Sequence, residues 1–469
     1  MKKSIICAVL IILGLTSFSA SEEQVELLPE VKALITPKPL DPKLLENSFA
    51  IGLFGIPYPK DDYYEISEQI IKTNYDILTS GDVSKKLMLI EDQTPAGQSI
   101  LDWSKNINEL LYDDLSFCDW YLAQNCVIET IQARDKIEKL LLDNEKFLQR
   151  YQNIVKNSDK YADLFLWMKI LLSSSRPSID FDTVDFAKNL LSGNFKMNKL
   201  VTLTLHKVIL QLQDQQIDEA IINFQKIYKS VELLSSGNEI VGLANQYLAI
   251  ELRFDLDLYL NAILDHDFLN DRLEQIDVMI LFQPYSDQHR YSIFYSYAVE
   301  IESDIVLNVV GVKNKQKINN KGINQLYLLY QHYMNAVQSR TIEAQIDQFQ
   351  KECIALNEEH GEICRLAYIE DDLKRYDVQR NYHNMVYLKY LILRNNIQDQ
   401  DIPEFLRAQG DIAIDPITQE SFQWNAETRT IFILLPEDKY LLPPRTQTVV
   451  TNNPGIKNLQ VTIPKRDSK

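Results

Sequence analysis

Residues 137–155, "IEKLLLDNEKFLQRYQNIV", decide the fold class. Ile137, Leu140, Leu141, Phe147, Leu148, Tyr151, Ile154 and Val155 recur three and four positions apart, while Lys139, Lys146, Gln149 and the following Lys156 fall mostly between them. At 3.6 residues per turn the apolar set lines one face, which the two-residue period of a strand cannot do. The stretch reads as an amphipathic helix with one buried face.

Outward from it, helical stretches are predicted at 62–79, 98–116, 160–173, 198–213, 217–235, 239–265, 271–282, 289–309, 323–357 and 376–395. "SSSRPSID" (173–180), "LSGNF" (191–195) and "LSSGNE" (234–239) supply the Ser, Gly, Pro and Asn punctuation between them. Glycine is scarce, 13 in 469 residues, so few tight turns and few left-handed backbone positions are expected. The expected fold is mainly α, an irregular helical array or α-solenoid-like bundle with a small C-terminal β-hairpin appendage. "QIDEAIINFQKIYKSVELL" (216–234) is similar to one helix of a tetratricopeptide repeat, but no second copy follows at a 34-residue period.

Past Asn396 the helical period fades. In "DPITQESFQWNAETRTIFILL" (415–435), Phe422 and Trp424 face Ile431 and Ile433 across Asn425-Ala426-Glu427-Thr428, the pattern of a β-hairpin. "NLQVTIP" (458–464) alternates Leu459, Val461 and Ile463 and reads as a third strand. The chain therefore divides into a signal peptide (1–20), an extended segment (21–45), the helical array (46–396), the hairpin appendage (397–440) and a loop with a terminal strand (441–469).

The first twenty residues read as an export signal: Lys2 and Lys3, the apolar run Ile5–Leu15, then small residues around Ser17–Ser21. Ser17/Ser19 or Ser19/Ser21 fit the cleavage rule better than a cut after Ala20. Cys7 lies inside the apolar run, which argues against a lipoprotein. No later window is apolar enough to span a bilayer. The chain carries 48 Lys and Arg against 66 Asp and Glu, a net charge of −18 that becomes about −20 once Lys2 and Lys3 are removed. With no basic stripe, nucleic-acid binding is not expected. The periplasm, or secretion, is the expected location.

Four cysteines remain after the signal: Cys118, Cys126, Cys353 and Cys364. They permit three pairings, of which sequence proximity favours 118–126 and 353–364. Continuous helix would hold Cys118 and Cys126 about 12 Å apart, beyond the roughly 7 Å a disulfide tolerates. The chain must then turn between them, and Ala123-Gln124-Asn125 is the expected place. His360-Gly361 offers the turn in "CIALNEEHGEIC" (353–364). CxxC spacing is missing, so disulfides are preferred to a metal site.

Signatures of chemistry are few. There is no G-x-S-x-G, P-loop, G-x-G-x-x-G or H-E-x-x-H, and the six histidines show no pair at helical ligand spacing. "EEHGE" (358–362) reads as a solvated loop rather than a metal cluster. "AVEIESDIV" (298–306) presents Glu300, Glu302 and Asp304, and acid pairs such as Asp371-Asp372 or Asp265/Asp267 could serve glycoside hydrolysis, although with 66 carboxylates in the chain chance juxtaposition is the default reading. Glu302-Ser303 is similar to the start of a lytic transglycosylase motif, but the downstream Gly-Leu-Met-Gln segment is missing. No catalytic residue, cofactor or metal ligand is assigned.

"ENSFAIGLFGIPYP" (46–59), "FCDWYLAQNC" (117–126), "LLLDNEKFLQRYQNIV" (140–155) and "DPITQESFQWNAE" (415–427) together resemble an uncharacterised family of exported proteobacterial helical proteins. Asn47, Gly55, Arg150, Tyr151, Asp415, Pro416, Thr418 and Trp424 carry the resemblance. Gln419 stands where that pattern has Gly, and Ser421 where it has Pro. The resemblance implies an exported helical protein and no particular activity. Residues 46–59 are expected to cap the array with their apolar side chains buried. The expected function is a binding or scaffold protein of the cell envelope that takes an envelope protein or peptide. The alternative is an envelope hydrolase acting through paired carboxylates.

Overall fold

Leu252 to Leu264 are thirteen consecutive buried residues, and the described chain is organised around them. Their sequence, "LRFDLDLYLNAIL", alternates apolar and charged residues over 252–258, which read alone is a strand pattern. Wound into a helix, it spreads Arg253, Asp255 and Asp257 around the circumference, so the helix needs polar partners on several sides as well as apolar ones. The computed structural model describes residues 25–34, 123–143, 201–235, 243–266, 269, 282, 285, 287–309, 319–361, 363–436, 441–442 and 450–465. The predicted signal, the apolar stretch 46–59, Asn47, Gly55, Cys118, Arg150, Tyr151, the predicted helices at 62–79, 98–116 and 160–173 and nearly all of 271–282 lie outside those residues.

The fold is mainly α, with a small antiparallel sheet at the C-terminal end. In chain order the helices are α1 (Pro29–Leu34), α2 (Ala123–Gln132), α3 (Arg134–Asp143), α4 (201–213), α5 (Ile217–Ser235), α6 (Leu243–Leu264), α7 (Asp287–Val309), α8 (Asn320–Gln338), α9 (Ile346–His360), α10 (Ile369–Arg394) and α11 (Ile402–Ala408). The strands are β1 (Gln423–Asn425), β2 (Thr430–Leu434) and β3 (Asn458–Thr462), in the order β1-β2-β3. Trp424 pairs with Ile431 and Gln423 with Phe432, and β3 joins through Val461 opposite Ile431 and Leu459 opposite Ile433. The hairpin and third strand expected from alternation are both present.

Two apolar clusters fill the described interior. One joins α2 to α6, the second half of α10 and the sheet residues Ile431, Ile433, Leu459, Val461 and Ile463. The other joins Val31 of α1 to α7, α8, α9 and the start of α10, with Ile369, Leu373 and Tyr376 facing it. Helix α10 crosses from one cluster to the other. The sheet is held by the same core as the helices, and α10 packs directly on β3.

Several sequence expectations need correction. The predicted helix 323–357 is two helices, because α8 stops at Gln338 and Arg340 adopts φ 57°. The N–H of Thr341 donates to Ala336 O and that of Arg340 to Val337 O, the paired bonds of a Schellman stop. The same pattern ends α4 at Gln215 (φ 61°) and α10 at Asn396 (φ 50°). Scarce glycine therefore does not mean scarce left-handed backbone: five non-glycine residues adopt it among the described ones. The extended N-terminal segment contains helix α1, begun at Pro29, whose ring pre-sets helical φ. It docks on α8 through Leu28 N to Asn324 Oδ1 (3.0 Å) and Asn320 Nδ2 to Val25 O (2.8 Å). Helix α10 begins seven residues before the predicted 376, and the short α11, with Pro403 in its first turn, lies where no helix was expected.

Candidate functional site

A polar seam runs along the contact of α6 with α10, inside the first core. Asp257, Asn261 and Asp265 recur at four-residue intervals, so they line one face at the end of α6. From α10, His383 Nδ1 lies 2.8 Å from Asp257 Oδ1. Lys389 Nζ donates to Asn261 Oδ1 (2.7 Å), to Asn261 O (3.0 Å) and to Asp265 Oδ1. Asn261 Nδ2 donates to the Tyr382 hydroxyl at 3.1 Å. Phe282 and Tyr285 lay their rings against His383, and Arg253 sits over the Tyr285 ring at 4.3 Å. Burial pushes the Asp265 carboxyl up against the pull of Lys389, and pushes the Lys389 amine down. None of these residues except Asp265 was singled out from sequence. The available signal was Lys389 isolated in the apolar run from Met385 to Leu393.

The residues carrying the C-terminal part of the family resemblance form a turn tied to the same helix. Asp415 is buried; it accepts from Ile417 N (2.9 Å) and the Thr418 hydroxyl (2.8 Å), and Asn381 Nδ2 of α10 donates to it at 2.7 Å. Gln419 has φ 61°, the conformation glycine takes most readily. Trp424 packs half-buried on the first core.

Glu302, Asp372 and Asp265, considered for hydrolysis, each have partners of their own. Glu302 is buried and accepts from the Tyr330 hydroxyl at 2.8 Å. Asp372 is buried and accepts from Tyr297 and Arg375, while neighbouring Asp371 is exposed. Asp265 pairs with Lys389, and Asp267 lies outside the described residues. Asp377, unremarked in the sequence, accepts from Arg290 at 2.8 and 3.0 Å; its carboxyl is pushed up by burial and drawn back by Arg290.

Cys353 and Cys364 form a disulfide with Cα atoms 5.5 Å apart. The chain reverses at Gly361, φ 84°, as the His360-Gly361 pair led one to expect. Asn357 fastens the reversal: its Oδ1 accepts from Ile363 N and Cys364 N (2.9 and 2.8 Å), and its Nδ2 donates to Cys364 O (2.8 Å). Cys126 is buried and disulfide-bonded, while the predicted partner Cys118 lies outside the described residues. Ala123-Gln124-Asn125, expected as a turn, is instead the first turn of α2. His360 is no solvated loop residue. Its ring packs on Gly322 and lies 2.7 Å from Gln325 Oε1. Among the described residues no cluster of three or more His, Cys, Asp and Glu could hold a metal ion, and no helix is long and apolar enough to cross a membrane.

One turn beyond Lys389, the end of α10 opens into a groove of about 540 Å³. Ile392, Leu393, Ile397, Ile463 and Pro464 give it apolar walls, and Asn396, Gln398, Asp399, Gln400, Arg429 and Lys465 give it polar ones. Arg429 holds one wall: its Nε donates to Ile463 O (3.0 Å), its Nη2 to Pro464 O (3.2 Å) and its Nη1 to Asp399. Beside the groove, β3 is an edge strand of the described sheet. Amides, one paired arginine and a lysine can hydrogen-bond an extended chain; they supply no nucleophile with a base beside it. Comparison of the chain with protein-family models, with curated proteins and with solved structures gives no match.

Proposed function

We propose that this chain is an exported binding or scaffold protein of the cell envelope, and that the groove at the end of α10 receives an extended peptide segment of an envelope protein. The observation that carries the reading is the groove's make-up: amide, Arg and Lys side chains beside apolar walls, just past the end of the edge strand β3. Extended peptides are held in this way, by main-chain hydrogen bonds along an edge and pockets for alternate side chains. Export is supported by the signal-like residues 1–20 and by disulfide-bonded cysteines. The engagement of Glu302, Asp372 and Asp265 by different structural partners weighs against the hydrolase alternative.

The test is site-specific photo-crosslinking in intact cells of the native host. A photoreactive residue replaces Gln398 or Gln400 in the groove, or Leu142, 73% exposed on α3, as the control. A defined envelope protein captured through one of its peptides from 398 or 400, and not from 142, is the expected result. Equal capture from both places, capture of cytoplasmic proteins, or none at all overturns the reading.

A further inference from the structure

We propose that Lys389 and Asn261 are a self-modification site, joined by an isopeptide bond that links α10 to α6. Lys389 is fully buried, and its amine touches three oxygens: both oxygens of Asn261 and Oδ1 of Asp265. An ion pair this deep has lost its hydration, and transfer of the proton from the ammonium to the carboxylate replaces two buried charges with none. Both shifts run that way, the amine's pKa falling and the carboxyl's rising, each chiefly through burial. The reacting state of the proposal is the one with the proton on Asp265 and the amine neutral.

The amide to be attacked is already oriented. Asn261 Oδ1 lies 2.7 Å from Lys389 Nζ, and the carbonyl carbon is one bond beyond it. The other end of the amide, Nδ2, is held by the Tyr382 hydroxyl, so the oxygen is kept on the lysine side. Desolvated lysines are established nucleophiles toward carbonyl carbons, and fixing both reactants in a dry core removes the entropic cost of their meeting.

The step balances without a co-reactant. Nζ attacks Cγ of Asn261, and a new C–N bond forms while negative charge passes to Oδ1 and Asp265 stays within reach of Nζ. Asp265 gives its acid proton to the departing Nδ2 and takes the proton that Nζ sheds in its place. The Cγ–Nδ2 bond breaks, and ammonia departs. Lys389 has lost one hydrogen, Asn261 its amino group, and Asp265 is regenerated. Asp265 thus acts as proton carrier and Asn261 as acyl acceptor. Residues 128 apart in sequence become covalently joined, tying together the two helices that meet in the centre of the first core.

The experiment is mass spectrometry of the reduced, denatured full chain and of its tryptic digest. The expected chain is lighter by one ammonia, and the digest contains fragment 254–272 joined to fragment 381–394, uncut at Lys389. The variant Lys389→Arg should have the full mass of its sequence. Asn261→Asp, if linked, should yield a product of the same mass as the linked wild type, with water leaving in place of ammonia. An undiminished wild-type mass, with 254–272 recovered alone and the chain cut at Lys389 into 381–389 and 390–394, overturns the proposal and needs no variant to fold. Loss of water with the link on Asp265 overturns the assignment of Asn261 as acceptor.

Discussion

Gly322 of α8 and His360 of α9 are in contact so close that a Cβ at position 322 would lie 2.8 Å from Cγ of the imidazole. The ring cannot retreat freely, since Nε2 is 2.7 Å from Gln325 Oε1. Gly322→Ala should therefore destabilise by about 1–3 kcal/mol, even though alanine is the better helix former. In a His360→Ala background the same change should be neutral or stabilising. Urea melts of the four proteins in the cycle measure the coupling, and additive effects would refute it.

His206 predicts an acid sensitivity. Thr130 Oγ1 donates to Cys126 O, so it accepts from His206 Nδ1, and the Tyr259 hydroxyl donates to Nε2. The neutral ring is fully satisfied, and burial pushes its pKa down to about 3 from 6.5. The unfolded chain binds a proton below 6.5 that the native chain refuses, so stability is complete above that pH and falls as pH drops towards 3. From its plateau at high pH down to pH 5 the loss should be about 2 kcal/mol, at ~1.4 kcal/mol per unit below 6.5. Unfolding free energies of the wild type from denaturant titrations should fall across that range, and those of His206→Gln should fall less by this amount.

Gln215 ends α4 in the left-handed region at φ 61°, with its side chain exposed. Glycine adopts that conformation without the Cβ clash, so Gln215→Gly should stabilise by roughly 0.5–1 kcal/mol, although glycine usually weakens helical proteins. A thermal melt of the variant that shifts downward would count against the Schellman stop.

The turn closed by Cys353 and Cys364 has two fasteners. Removing the disulfide with paired alanines should cost about 2–3 kcal/mol, because a short loop is released in the unfolded chain. Asn357→Ala should cost about 1–3 kcal/mol by leaving Ile363 N and Cys364 N without their acceptor. Since both act on one turn, the combined variant should lose less than the sum. Chemical denaturation of the three proteins reads this directly, and strict additivity would contradict it.

Local periodicity carried most of the fold's visible outline. The helix predicted at 217–235 is found with those bounds, and the alternation of Leu459, Val461 and Ile463 marked the third strand. These features are set by residues a turn or a register apart, so a linear reading can find them. The stop after Gln338 was not legible, because Arg340 rather than glycine takes the left-handed position and only the finished turn makes its strain worthwhile.

The sites divide in the same way. Cys353 and Cys364 lie eleven residues apart around a His-Gly turn, close enough for their pairing to be read from spacing. Asp415 stood out as part of a motif, but its partner Asn381 lies 34 residues away, and Lys389 meets Asn261 across 128. Sequence by itself determined the helical class, the acidic charge and the short-range disulfide. Only the tertiary structure decided which charges are buried and what answers them, because a buried charge is tolerable only beside a partner that folding delivers from far along the chain.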